Sequence, residues 1–306
     1  MNFALGGSGP PWYREGMAEL LGTHSWKRGQ LTVGYFPKDR EEVPYWGRIK
    51  LLKDELAAGR GQLLREVMNQ KQTDHLRLAP YAWSWAATAF LNGHPRYRVG
   101  FKELKNNVTE TSRLFSKDFE ARYRSRIREM EEEWQLFILE IEYGYDLTRN
   151  AIQYAAGLPL PDGGRSAIVA TDRGWQSTGI RLERDKPYRI SSKGRFKVKK
   201  RPRPWWSEPG GITIDYWNGY PLGILQGVVR ADNAESDLTS MGRPFAAGLS
   251  GKVTPTATGT LYLRINDSPA SLIDNEGQVT VKVEEFKPPK AGQAAAGKDP
   301  APEAGK

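Results

Sequence analysis

The sequence predicts an α+β multidomain chain, with an all-α region over 1–156 and an all-β sandwich over 165–287. Three observations predict it. Apolar residues in the first part recur at steps of three and four, the period of one helix face. In the second part they recur at steps of two, the period of a pleated strand. Between them GLPLPDGG (157–164) is rich in Gly and Pro and has no apolar period, so it is expected to be a linker.

The first helix is expected over 12–22, started by the Pro pair at 10–11. Proline suits a first helical turn, where its missing N–H has no partner to lose. Further helices are expected over 41–70 and 79–92, with Gly59 and Gly61 placed to break or end the second. Phe115, Phe119, Tyr123, Ile127, Met130, Trp134, Ile138 and Ile141 are spaced for one face of a single long helix. The other face, ARYRSRIREMEEE, runs from basic to acidic. That order opposes the helix dipole, so apolar packing must stabilise this helix.

In the second half Leu261, Leu263 and Ile265 alternate with Tyr262 and Arg264, and Val279, Val281 and Val283 with Thr280 and Lys282. Such half-buried strands, separated by Gly, Pro, Asn and Asp turns, describe a sandwich of roughly 120 residues. The tail 288–306, PPKAGQAAAGKDPAPEAGK, has almost nothing to bury and is expected to be disordered.

Composition narrows the function classes. Apolar residues make up 39% and charged residues 26%, a globular balance. No run of about 18 apolar residues is present, so no membrane span is expected. The opening MNFALGGSGPPWYREG has neither the basic nor the apolar region of a signal peptide. Without Cys there are no disulfides, thiolate catalysis, iron–sulfur clusters or Cys-ligated zinc. The three His (His24, His75, His94) limit any imidazole metal site, since no two stand at helix-face spacing. A net charge of +9 attracts acidic partners without defining where they bind.

The most informative stretch joins the two clear strands, Asn266-Asp267-Ser268-Pro269-Ala270-Ser271-Leu272-Ile273-Asp274-Asn275-Glu276-Gly277. Asn266, Asp267, Ser271, Asp274 and Asn275 bring oxygen-bearing side chains close together in sequence. Calcium takes about six to eight such oxygens from carboxylates, amides and backbone carbonyls. The same residue types also form Asp/Asn turns that bond their own backbone, so the residues alone leave both readings open.

This loop resembles the calcium site of the PA-IL-like bacterial galactophilic lectins, N-D-x-P-x-x-x-x-N-N-x-G, with Asp274 at the first of the paired Asn positions. The resemblance extends to Gly174–Ile180 as a first strand, to Pro187–Phe196 as a second strand ending in a Gly-aromatic corner, and to Gly219–Leu225. It implies a jelly-roll-like, galactose-binding-like sandwich holding Ca²⁺ through Asp267, the Ser271 carbonyl, Asp274, Asn275 and the Val198 carbonyl. It also implies that two sugar hydroxyls complete the calcium shell. The family's long loop carries a His and a Gln that touch the sugar, whereas KKRPRPWWSEPGGITIDYW here has neither. Trp205, Trp206 and Trp217 are the candidates to stack on a sugar face, or else to pack beneath the loop.

The same loop interleaves Lys193, Arg195, Lys197, Lys199, Lys200, Arg201 and Arg203 with Phe196, Trp205 and Trp206. The 193–206 stretch therefore reads either as a solvated basic loop or as a surface for an acidic polymer, with no nucleic-acid-binding module beside it.

In the first half, Pro11-Trp12-Tyr13-Arg14-Glu15-Gly16-Met17-Ala18-Glu19 looks like the third-ligand helix of gluzincin metallopeptidases, W-x-x-E-G-x-A. Tyr81–Trp85 and Phe90–Pro95 look like the downstream helix of such proteins. The resemblance implies Glu15 as a Zn²⁺ ligand, but only together with an HExxH helix, and this sequence has none. Either that helix and a secretion signal are expected before Met1 in a longer parent, or the chain is a natural one that has lost catalysis. By itself the chain is expected not to hydrolyse peptides.

The expected function is thus a calcium-dependent, lectin-like carbohydrate-binding module joined to a metallopeptidase-like helical region. Its partner would be a glycan or cell-surface polysaccharide, and its place extracytoplasmic, periplasmic or secreted if a longer parent supplies the missing N-terminal segment; otherwise the sequence assigns no location. The alternatives are a pure binding or scaffold protein without a peptidase parent, and a basic nucleic-acid-associated protein.

Overall fold

The computed structural model describes residues 8–43, 47–200, 202–233 and 236–287; the tail expected over 288–306 lies outside the described residues. Helix α1 (Pro11–Gly22) begins with Pro11 in its first turn. A hairpin absent from the sequence reading follows, β1 (His24–Lys27) and β2 (Gln30–Val33). Its turn residues Arg28 and Gly29 sit at φ 51° and 78°. Two central residues at positive φ match the twist of a tight hairpin.

The helix expected over 41–70 is two helices, α2 (Arg48–Ala57) and α3 (Leu64–Met68), divided at Gly59 with φ 70°. Helix α4 (Leu78–Gly93) is buried along most of its length, with Trp83, Trp85 and Phe90 in the helical core. It packs directly on α1: a Cβ on Gly16 would lie 2.4 Å from the Ser84 carbonyl oxygen. The Thr88 hydroxyl donates to the Gly16 carbonyl at 3.0 Å.

After α5 (Arg98–Glu103) the single long helix expected through 115–141 is broken into α6 (Arg113–Arg122), a 3₁₀ turn at Arg124–Arg126 and α7 (Ile127–Leu139). A continuous helix would set Arg122 against Arg126 and Arg124 against Arg128, like charges one turn apart. On either side of the break the apolar face is kept, with Phe115, Phe119, Met130, Trp134, Ile138 and Ile141 buried, whereas Ile127 at the break is exposed. The short α8 (Leu147–Asn150) is capped by the Asp146 carboxylate, which accepts from the N–H groups of Thr148 and Arg149.

The 157–164 segment is built into the fold. Strand β3 (Leu158–Pro159) pairs in parallel with β5 (Gln176–Leu182). One sheet runs β11 (Phe245–Ala246), β10 (Tyr220–Ala231), β13 (Gly259–Ile265), β5, β3, with β9 (Gly210–Trp217) paired to β10. The facing sheet runs β12 (Ser250–Val253), β6 (Tyr188–Lys193), β14 (Gln278–Glu285), β4 (Arg165–Ala170). A small ribbon joins β7 (Phe196–Lys199) and β8 (Trp205–Ser207). Ile180, Leu225, Leu261, Leu263 and Ile265 meet Val169, Ile190, Val279, Val281 and Val283 in the core between the sheets.

Strand β14 alternates as expected, but β13 does not: every residue from Gly259 to Ile265 is buried. Its second face is covered by the helical layer, where Leu136 and Ile152 pack with Trp175, Val228, Met241 and Tyr262. Arg264 pins that contact. It pairs both guanidinium NH₂ groups with Glu140 at 3.0 and 2.7 Å, donates Nε to Gln226 Oε1 at 3.0 Å, and lies 4.4 Å from the Trp175 ring centre. Arg230 adds a pair with Glu132 at 2.8 Å. The chain is therefore mixed α and β, in three layers: helices, then one sheet, then the other. Among the described residues no helix is long and apolar enough to cross a membrane.

Candidate metal and ligand site

The 266–277 loop leaves the end of β13 and returns as β14, and buried polar groups at both ends hold it. The Asn266 amide donates to the carbonyls of Trp217, Tyr220 and Pro221 at 3.0–3.1 Å. Its nitrogen therefore clamps the tip of the β9–β10 hairpin to the loop. At the far end Glu276 and Lys197 exchange backbone hydrogen bonds of 3.0 and 3.1 Å, tying the loop to β7. Gly277 exits at φ 123°, and a Cβ there would come within 3.0 Å of the Phe196 side chain. That approach requires glycine.

Within this frame Asp267 is 7% exposed and Asn275 4%. Asp267 Oδ1 accepts from the Ser268 N–H at 2.7 Å, while Oδ2 is buried with no hydrogen-bond partner. Asn275 Nδ2 donates to the Thr171 carbonyl at 2.9 Å, which leaves Oδ1 likewise buried and unpartnered. Burial drives the Asp267 carboxyl up to about 7; the Ser268 N–H and the Asn275 side chain oppose that rise, and the charges of Asp274 and Glu142 add to it. Asn266 Oδ1 is a third buried oxygen of the loop without a partner, so three acceptors lack a donor and one of them belongs to a carboxyl that resists ionisation, which leaves the loop short of positive charge.

A cavity of about 180 Å³ opens here. Val198, Asp267, Ser271 and Asp274, four of the five residues assigned to calcium by resemblance, line it, with Lys199, Asp215, Tyr216, Trp217, Leu222 and Ser268. The fifth, Asn275, is not on the cavity wall. The Ser271 carbonyl accepts the Asp274 N–H at 2.8 Å, and a carbonyl retains a second lone pair after one such bond. Val198 sits at a bulge: the β7–β8 register passes from Lys197 to Lys199 without it. A bulged residue is left unpaired by the ladder. Carboxylate, amide and carbonyl oxygens are the donor types that a hard cation such as calcium takes.

The three candidate Trp residues separate. Trp217 lines the cavity. Trp205 packs against the sandwich core under the Lys199 ammonium, 4.4 Å from its ring centre. Trp206 is 45% exposed on the ribbon, flanked by Arg195 and Lys197 at 5.2 and 5.1 Å, and does not line the cavity. The sequence reading did not assign Asp215, Tyr216 or Lys199 to this cavity. The signal for the first two was Asn218-Gly219, at φ 48° and 80°, a hairpin turn that folds 216–217 back against 220–221.

Glu15 stands apart. It pairs with the adjacent Arg14 at 2.8 Å, and Glu19 pairs with Arg48 at 2.5 Å. Among the described residues no three His, Cys, Asp or Glu side chains gather where they could hold a metal. The other residues of that motif have packing roles: Trp12 is buried and donates to the Ser116 hydroxyl at 3.0 Å, and Gly16 allows the α1–α4 contact.

No family model and no curated protein matches this chain. Among solved structures, 40% of the chain is similar to 95% of the EclA N-terminal domain, a PllA-like lectin, at 19% identity and a TM-score of 0.31. A further 13% identity and a TM-score of 0.24 relate 44% of the chain to 96% of Aeromonas hydrophila PliG, a periplasmic lysozyme inhibitor of g-type lysozyme. Likenesses at these scores carry no argument.

Proposed function

We propose that the sandwich is a calcium-dependent carbohydrate-binding module. The observation that carries this reading is the buried, unpartnered Oδ2 of Asp267, a residue that lines a cavity with Asp274, Ser271 and Val198, together with the unpartnered Oδ1 of Asn275, buried in the same loop behind that wall. Asp267, Asp274, Asn275 and the carbonyls of Ser271 and Val198 would hold the ion. Calcium there would supply charge for the buried carboxylate and an open coordination position for paired hydroxyls. Trp217 and Tyr216 give the cavity an aromatic wall, a surface that suits the apolar face of a sugar ring. A glycan or surface polysaccharide outside the cytoplasm is the partner this arrangement suits.

The helical layer acts as scaffold in this reading. The Pro269 carbonyl accepts from the Asp146 N–H at 3.2 Å and from the Asn150 amide at 3.0 Å, and the Ser268 hydroxyl bonds Glu142. These contacts fix the loop from behind.

Calorimetric titration of the full chain with CaCl₂ tests the proposal. One calcium per chain, abolished by Asp274→Ala, is expected. A silent titration, with thermal stability the same in calcium and in EDTA, overturns it.

A further inference from the structure

We propose that the carbohydrate is an acidic one, whose carboxylate is met by Lys199 while its hydroxyls face the Asp267–Asp274 side of the cavity. This rests on the carbohydrate reading above and adds the ligand's charge.

Lys199 is the cation on the cavity wall. Its neighbours on and beside β7 are engaged: Lys197 with Glu276 at 3.0 Å, Lys200 with the Ile273 carbonyl at 3.1 Å. Lys199 instead lies over the Trp205 ring, and among the described residues no carboxylate pairs with it. That holds although Asp215 and Asp274 line the same cavity. Asp215 has one oxygen bonded to the Tyr216 N–H at 2.9 Å. The aromatic face under the ammonium holds it in place without neutralising it, because a ring quadrupole attracts a cation but carries no net charge.

The cavity wall thus carries two unlike kinds of group, the oxygens of Asp267, Ser271 and Asp274 and the positive Lys199. A sugar acid presents both complements on one ring, vicinal hydroxyls and a carboxylate. DNA has phosphates but no vicinal hydroxyls, and RNA has them only at a 3′ terminus, so the geometry favours the glycan. The exposed Trp206, flanked by Arg195, continues the basic surface along the ribbon toward further residues of an acidic chain.

Monosaccharides test this without the calcium bridging that polyuronates undergo. With the full chain in saturating calcium, galacturonate is compared with galactose, and glucuronate with glucose, by calorimetry or Trp fluorescence. At least one uronate is expected to bind about five- to tenfold more tightly than its matched hexose, an advantage that shrinks at high salt. Lys199→Gln is expected to bring that ratio to about one, with calcium binding measured on the same variant to show that the site is formed. Lys53→Gln, which removes the same charge from α2, is expected to keep the ratio. Equal binding of uronate and hexose, or a preference that persists in Lys199→Gln, overturns this inference and leaves the calcium-dependent module standing. Absence of calcium binding, or of binding by any of the four sugars, overturns both. A single-stranded DNA oligonucleotide that binds in EDTA and is weakened by Lys199→Gln also overturns it, and assigns the ribbon to polynucleotide.

Discussion

Replacing Asp267 by Asn removes one negative charge from a nearly buried site while keeping the acceptor that the Ser268 N–H bonds at 2.7 Å. With its N–H₂ in the place of Oδ2, the new amide has a donor where the parent has a buried oxygen without one. In the absence of calcium the parent carboxyl is pushed from 3.8 to about 7. Its proton affinity is therefore raised by about three powers of ten, at about 1.4 kcal/mol each, or about 4 kcal/mol in all. The folded state holds this proton more tightly than the unfolded chain, so stability falls as pH rises from about 4 to 7 and levels off above.

In EDTA at pH 8, Asp267→Asn is thus expected to be more stable than the parent by up to about 4 kcal/mol, on the order of 10 °C in Tm, with the gap closing toward pH 5. Calcium reverses the comparison. The parent gains about 2.7 kcal/mol at a hundredfold excess over Kd, and the variant gains nothing. Below pH 7 the parent's apparent calcium affinity falls about tenfold per pH unit, because the ion and the proton compete for one carboxylate. Differential scanning fluorimetry across pH, with and without calcium, reads all three effects. A variant less stable than the parent in EDTA at pH 8, yet responding to calcium as the parent does, would refute the reasoning.

Two further outcomes test the frame around the site. Arg264→Met leaves Glu140 buried without its bidentate partner and is expected to lower stability by about 3–5 kcal/mol in urea titration, part of which Glu140→Gln restores in the double variant. Burial opposes ionisation of Glu133, but His94, Arg96 and Tyr97 hold its carboxyl below the usual range. Its contribution is therefore present above the ordinary Glu value and lost as pH falls through the lower, folded one, so Glu133→Gln is expected to destabilise by about 3 kcal/mol at pH 7 and progressively less in acid, by urea titration at each pH.

The loop shows how far local chemistry reaches. Asp267, Ser271, Asp274 and Asn275 come from one short stretch, so their spacing was readable in the sequence. Val198 came only through the resemblance, and it sits at a bulge that sequence spacing does not mark. Lys199 was visible as one of several basic residues in a run. Its distinction, an ammonium on an aromatic face with its neighbours engaged elsewhere, depends on which side chains the ribbon's register sets opposite one another. The candidate Trp residues looked alike in sequence, and only Trp217 reached the cavity, because the Asn218-Gly219 turn folds it there.

Periodicity and turn residues, properties of each segment taken alone, were enough to separate helices from strands, place α1 and α4, and give β14 its buried Val face. They could not say what covers the outer face of β13, nor that Leu158–Pro159 would add a strand, because both depend on partners distant in sequence. Helix continuity at 122–128 likewise depended on charge repulsion one turn apart against an unbroken apolar period. The sequence named the oxygens; the tertiary structure decided which of them are buried, which are already bonded, and which remain for a ligand, since solvation and hydrogen bonding are settled only when distant segments close over them.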